Sequence, residues 1–408
     1  MPKRCLILLL VLALSGGSAF GYSVLTHEQL VDLTWDTHFK PLLLGRYPTL
    51  DQKALDEAHA YAYGGAVIQD LGYYPFGNAF FSDLVHYARS GDFVAELIRQ
   101  SENADEYAFA LGALSHYVGD SIGHPGSVNQ AVAIEYPKMR ARYGDSITYD
   151  ENKIDHLKIE FGFDMEQVAR HRYASQQYHD YIGFQVATPL LERVFPVVYG
   201  LSLKQVLPNE ERAIGTFRWS VSQAIPEMTR VALALHGRDL VREDPSFSRQ
   251  KFLYRLSRAD YQRQWGRDYQ RPGWRSQLLA FFIRVIPHVG PLRILNFKAP
   301  TTRTEDLYIA SINASVEDYR GDLGSVRAGS LRISNLNLDD GKPTLAGEYP
   351  LADQTHARWL AALAAGKFSS TDAALRECLL DYYKNPASQT PAIQSELAAI
   401  KTAPVIAY

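Results

Sequence analysis

The chain has 408 residues, 46% of them hydrophobic and 21% charged, with a formal charge of −3. That balance is ordinary for a globular protein, and the length allows one large domain or two ordinary ones. The near-neutral charge excludes a global pull toward nucleic acid or acidic membranes, so any such binding has to come from a local patch.

Residues 1–21 differ from the rest. Lys3 and Arg4 precede the apolar run "CLILLLVLAL", which leads into "SGGSAFG". Charge, apolar core and small residues in that order describe a secretory signal peptide. The core is too short to span a bilayer, which takes about 20 helical residues. The expectation is a secreted or periplasmic protein. Cys5 stands at the start of that core and is poorly placed for lipid attachment. Removal of residues 1–21 leaves Cys378 alone, so no internal disulfide forms and stability rests on packing or metal.

Helical spacing dominates the rest of the chain: "THEQLVDLTWDTHF", "FVAELIRQSENADEYAFALGALSHYVGD" and "IGTFRWSVSQAIPEMTRVALALHG". Composition shifts near residue 240, which places a soft boundary between segments 22–240 and 241–408. From Arg249 to Arg275, arginines alternate with Tyr254, Tyr261, Trp265, Tyr269 and Trp274, and the apolar "QLLAFFIRVIPHVGPLRILNFK" comes next. Two readings stay open there: transient contact with a phosphate-bearing membrane surface, or a solvated helix face leading into a buried helix. "SLRISNLNL" at 330–338, followed by the turn signal "DDG", is the best strand candidate. Helical segments are expected near 354–367, 371–384 and 391–401. The fold class is all-α, with a helical C-terminal extension.

Chemistry concentrates in the first half. "SHYVGDSIGHPG" at 115–126 sets His116, Asp120 and His124 four residues apart, about one helical turn each. Imidazole and carboxylate donors on one face suit zinc; a buried polar helix satisfied by its neighbours is the other reading. "HLKIE" adds His156 and Glu160 at the same spacing, "FFSDLVHY" adds His86, "VIQDLGYYP" adds Asp70, and "YSVLTHE" adds His27. Each piece alone is weak. Five histidines and three acids in this order are not.

This order and spacing resembles the zinc-dependent phospholipase C family. It is also similar to the related single-strand-specific zinc nucleases and to the zinc domain of glycosylphosphatidylinositol-specific phospholipase D. The resemblance covers about residues 22–185, and the short gap from Asp120 to His124 is closer to the anchor-cleaving branch than to the nucleases. It implies a multi-helix bundle holding up to three zinc ions. One ion would take Asp70, His86, His116 and Asp120, and a second His124, His156 and Glu160. A third would take His27 and Asp120, completed by the free amine and carbonyl of the first mature residue. Cleavage after Gly21 makes that residue Tyr22, where the family usually has Trp; cleavage after Ala19 is the competing possibility.

The implied activity is phospholipase C-type hydrolysis of a phospholipid by zinc-activated hydroxide, with Asp70 orienting or deprotonating the water. Three divalent ions against three carboxylates leave positive charge that favours a phosphodiester. Choline-preferring members carry aromatics where this chain has Leu71 and Asp83, which puts a phosphocholine pocket in doubt. "GYYPFGNAFF" supplies Tyr73, Tyr74, Phe76, Phe80 and Phe81 as either an aromatic wall or core. His171 and His179 are not assigned as ligands. The alternatives are a single-strand nuclease with the same metal site, and a non-catalytic zinc scaffold. No stable nucleic-acid partner is expected, because the catalytic half lacks a basic footprint. The oligomeric state stays open.

Overall fold

The computed structural model describes residues 24–169, 172–173, 184–221, 225 and 296–406. Residues 1–21, Tyr22, the boundary near 240, the arginine–aromatic stretch 249–275, His171 and His179 lie outside the described residues.

The described chain is almost entirely helical. Helix α1 (Val24–Thr34) runs through a π-helical turn (Trp35–Phe39) into α2 (Lys40–Arg46). Helix α3 (Gln52–Ala66) leads to a tight 3-10 turn (Ile68–Tyr73), then α4 (Ala79–Tyr87) and α5 (Ser90–Gln100). Helix α6 (Ala104–Gly123) passes through a second π-helical turn (His124–Val128) into α7 (Asn129–Glu135) and α8 (Pro137–Tyr143). Helix α9 (Lys153–Ala169) is followed by α10 (Thr188–Tyr199), α11 (Leu203–Val206) and α12 (Glu210–Trp219). The C-terminal part holds α13 (Thr302–Arg327), α14 (Pro350–Ala365), α15 (Ala373–Tyr382) and α16 (Pro391–Thr402).

The expectation of an all-α fold holds, and the three C-terminal helices fall close to the predicted segments. The strand candidate shrinks to two residues, Leu336–Asn337, paired antiparallel with Lys342–Pro343 around the "DDG" turn. The single helical reading across 93–120 splits at Ser101–Asn103. There the Asn103 side chain accepts the Glu106 N–H at 2.9 Å, capping a new helix, and the Glu106 carboxylate accepts the Glu102 N–H in return.

Helices α3 and α6 form the central pair, and small residues let their backbones meet. A Cβ added at Gly112 would stand 2.1 Å from the Ala62 carbonyl oxygen, and one at Gly65 would stand 1.9 Å from that of Phe109. Each glycine thus faces the other helix's carbonyl. Helix α13 closes over α6 and α1: the Tyr319 hydroxyl donates to the Leu111 carbonyl, and the Tyr308 hydroxyl pairs with that of Thr26. One apolar core follows α3, α4, α5, α6 and α10, and takes in Trp359 of α14, whose indole N–H donates to the Tyr199 carbonyl. A second core joins α1, α7, α9 and α13 through Leu30, Val132, Phe163 and Ile312. Between these cores lies a polar interior. No described helix is long and apolar enough to cross a membrane.

Candidate metal centre

Six elements deliver the polar interior. Helix α1 brings His27, the 3-10 turn Asp70, and α4 His86. Helix α6 brings His116 and Asp120, with His124 as the next turn's residue, and α9 brings His156 and Glu160. All eight side chains are buried. The turn holding Asp70 needs its glycine: a Cβ at Gly72 would lie 2.3 Å from the Asn78 carbonyl, and the Gly72 N–H donates to the Ser82 hydroxyl.

Three groups of donors converge: His27, His116 and Asp120; Asp70, His86 and His116; and His124, His156 and Glu160. Within each, one atom per residue lies within 4.8 Å of the others, close enough to share an ion. Asp120 faces both ways. Its Oδ2 lies 2.9 Å from His116 Nε2 and 3.4 Å from His86 Nε2, while Oδ1 lies 3.4 Å from His27 Nε2 and 3.3 Å from His124 Nε2. On the far side, His156 Nδ1 is 2.8 Å from Glu160 Oε1.

The outer nitrogens decide what the inner ones can do. His86 Nδ1 faces the Ser82 carbonyl at 2.7 Å and His116 Nδ1 faces the Ala66 carbonyl at 2.9 Å. His124 Nδ1 faces Asp339 Oδ1 at 2.9 Å, and His156 Nε2 faces Asn129 Oδ1 at 2.8 Å. The Asn129 amide donates from Nδ2 to the Asp339 carbonyl, which fixes which of its atoms is the oxygen. Every outer partner is an acceptor, so every outer nitrogen carries a proton, and each ring that gives up its inner proton points a lone pair inward. Those inner nitrogens meet carboxylates: Asp70 Oδ1, both Asp120 oxygens and both Glu160 oxygens are buried without a hydrogen bond, as is the inner nitrogen His156 Nδ1. His86 and His116 even bring their Nε2 atoms to 3.3 Å. Electron-rich atoms gathered in a dry interior repel unless cations lie among them. The donor set fits zinc.

Electrostatics follow the same lines. Burial, reinforced by His116, lowers His27 to about 4, which keeps it neutral and ready to ligate. Burial raises Asp70 despite His116 and His86, and raises Glu160 despite His156. Burial would also raise Asp120, but His116 and His124 outweigh it and hold that carboxyl well below the usual range.

The remaining described histidines stand apart. His59 pairs with Asp32 under a stacked Trp35, His356 stacks on Tyr382, and His38 is bonded to Thr37. The aromatic segment 72–81 divides rather than forming one wall. Phe81 and Tyr74 are core, the latter edge-on to Phe217. Tyr73 is near the histidine–carboxylate groups, its ring 6.0 Å from His86 and its hydroxyl on Asp83. Phe76 is 49% exposed, with the Arg212 guanidinium over its ring.

Three residues that the sequence does not single out support the site. Asp339 and Asn129 hold the outer faces of His124 and His156. Asp164, one turn beyond Glu160, accepts the Leu25 N–H and the Thr26 hydroxyl, pinning the start of α1 beside His27. The sequence marks "DDG" only as a turn; no spacing rule flags a carboxylate that acts from 215 residues away.

No curated protein and no solved structure matches the chain. Residues 26–207 match the family model described as zinc dependent phospholipase C. Every one of the eight converging side chains lies inside that span, so this part of the chain is similar to the zinc-dependent phospholipase C family, and its three donor groups fit the zinc that such a family uses.

Proposed function

We propose that the protein is an exported phosphodiesterase that hydrolyses a phospholipid by phospholipase C-type cleavage. The observation that carries this reading is the convergence of three histidine–carboxylate groups whose inner nitrogens present lone pairs. Asp70, His86, His116 and Asp120 would hold one zinc, His124, His156 and Glu160 a second, and His27 with Asp120 a third.

Bound zinc supplies Lewis acidity, bringing the pKa of water toward about 7 and offsetting charge on a phosphate. The chain's own residues do the rest. Asp70, raised by burial and beside His86, orients the attacking water and accepts its proton. Asp120 keeps its charge, since His116 and His124 hold it ionised, and so ties two donor groups together at neutral pH. Tyr73 and Tyr149, buried with ring centroids 6.0 Å apart, stand beside His86 and His156 and cover that side of the donors with apolar surface.

The N-terminus belongs to the same proposal. Val24 and Leu25 are buried and the Leu25 N–H is held by Asp164, which fixes the start of the described chain close to His27. A mature amine at Tyr22 would then complete the third set. Adding one residue ahead of Tyr22 is expected to remove about one zinc per chain and most of the activity, read by metal analysis and turnover.

The deciding experiment measures zinc content and hydrolysis on the mature protein, with phospholipid vesicles and single-stranded DNA assayed side by side. About three zinc per chain with lipid cleavage supports the proposal. Cleavage of DNA alone replaces it with the nuclease reading. Zinc without hydrolysis of either leaves a scaffold.

A further inference from the structure

The turn around Asp339, far beyond the family domain in sequence, reaches back into its metal centre. Asp339 is buried, and its Oδ1 lies 2.9 Å from His124 Nδ1 and 3.4 Å from His156 Nε2. Its Oδ2 accepts from the Tyr349 hydroxyl at 2.6 Å and from the Tyr149 N–H at 2.9 Å. Its backbone carbonyl accepts from the Asn129 amide, whose oxygen in turn faces His156 Nε2. One residue therefore holds His124 directly and His156 through Asn129.

The turn itself is fastened to the elements that carry the donors. The Leu338 N–H donates to the His86 carbonyl. Gly341 adopts a left-handed φ of 69°, and a Cβ there would lie 2.4 Å from the Ser121 carbonyl, one residue past Asp120. A carboxylate with four polar contacts, on a turn locked to both α4 and α6, is not a solvated turn residue. The matched family span ends at residue 207, so this contribution comes from the extension.

We propose that Asp339 is a positioning residue of the metal centre. Its carboxylate fixes the tautomer and ring orientation of His124 and, through Asn129, of His156. The extension thereby sets the zinc affinity of the His124–His156–Glu160 group. This rests on the zinc reading of the site. A carboxylate behind a ligating imidazole makes the ring a better donor and spares it the entropy of reorienting.

The test compares the full-length protein with Asp339→Asn, Asp339→Ala and, as a control in the same turn, Asn335→Ala, whose side chain meets Asp92 instead. Zinc stoichiometry, affinity by competition with a chromogenic chelator, and the visible spectrum after cobalt substitution are read alongside circular dichroism. Asp339→Ala is expected to weaken one of the three zinc sites by about 10–100-fold and to alter the cobalt spectrum. Asp339→Asn should weaken it less, because an amide oxygen still accepts from His124, and its gentler change guards against misfolding of the alanine variant. Asn335→Ala should match wild type. Wild-type affinity and an unchanged cobalt spectrum in both Asp339 variants would overturn the proposal while leaving the hydrolase reading intact. A wild-type protein that binds no zinc would overturn both.

Discussion

Asp120 shows how much one side chain is asked to do. Its two oxygens face different histidines, and it is fully buried, so its charge is tolerable only because cations or acidic protons surround it. Asp120→Asn keeps the volume and removes the charge, and it leaves an amide N–H₂ pointed at imidazole nitrogens that need a cation. The expected outcome is the loss of at least one zinc per chain and a fall in hydrolysis beyond the roughly 10–100-fold that losing an outer-shell partner costs. Metal analysis and turnover on the same sample check it; three zinc ions with full activity would remove Asp120 from the shared position. The histidines themselves are partly legible in the sequence. Four-residue spacing announces that His116, Asp120 and His124 share a face, as do His156 and Glu160. It does not say that the two faces meet, nor that Asp70 on a 3-10 turn joins them; the family resemblance carries that. Asp339 stays hidden, because a carboxylate in a polar turn reads as solvated until the fold buries it.

At the scale of elements, the packing of α3 against α6 sets where His116 and Asp120 stand. Their reciprocal glycine–carbonyl contacts leave no room for a methyl group on either side. Gly112→Ala is expected to destabilise the fold by about 1–3 kcal/mol through overpacking, and to displace His116 one turn further along the same helix. Gly321 in α13 is the contrast, since an added Cβ there meets nothing within 4 Å. Gly321→Ala should stabilise by roughly 0.5–1 kcal/mol through backbone entropy. Thermal melts of the two variants, run together, decide: equal shifts would show that backbone approach between α3 and α6 is not what limits the site. Helix α3 begins where the Asp51 side chain accepts the Ala54 N–H, and α15 begins where Asp372 accepts the Leu375 N–H. The split at Asn103 escapes a sequence reading because apolar spacing continues across it, while the cap acts on a single turn.

For the whole molecule, the metal and the proton compete. In the metal-free protein burial raises Asp70 and Glu160. Burial would lower His116, His124 and His156, but carboxylates beside them outweigh it and raise all three. All five bind protons more firmly folded than unfolded. Their stabilisation of the metal-free fold is present below the unfolded values, about 4 for the acids and about 6.5 for the histidines, and is lost as pH rises through the folded ones. His27, lowered to about 4, acts the other way, as does Asp120. Zinc requires deprotonated ligands, so its contribution grows as that of the protons fades. The rise in Tm between chelator-treated and zinc-loaded protein should therefore widen from about pH 5.5 to about pH 8. Scanning fluorimetry across that range tests this, and a constant difference would contradict it.

The atoms of the centre are drawn from residue 27 to residue 160, and their support extends to residue 339. A chain made from its N-terminus displays every donor long before Asp339 exists. Early products can gather histidines but not lock two of them. If Asp339 positions His124 and His156 as proposed, full affinity at their group would come only once the chain has passed the turn. A chain cut short before Asp339 would carry all eight side-chain donors without the carboxylate that steadies two of them.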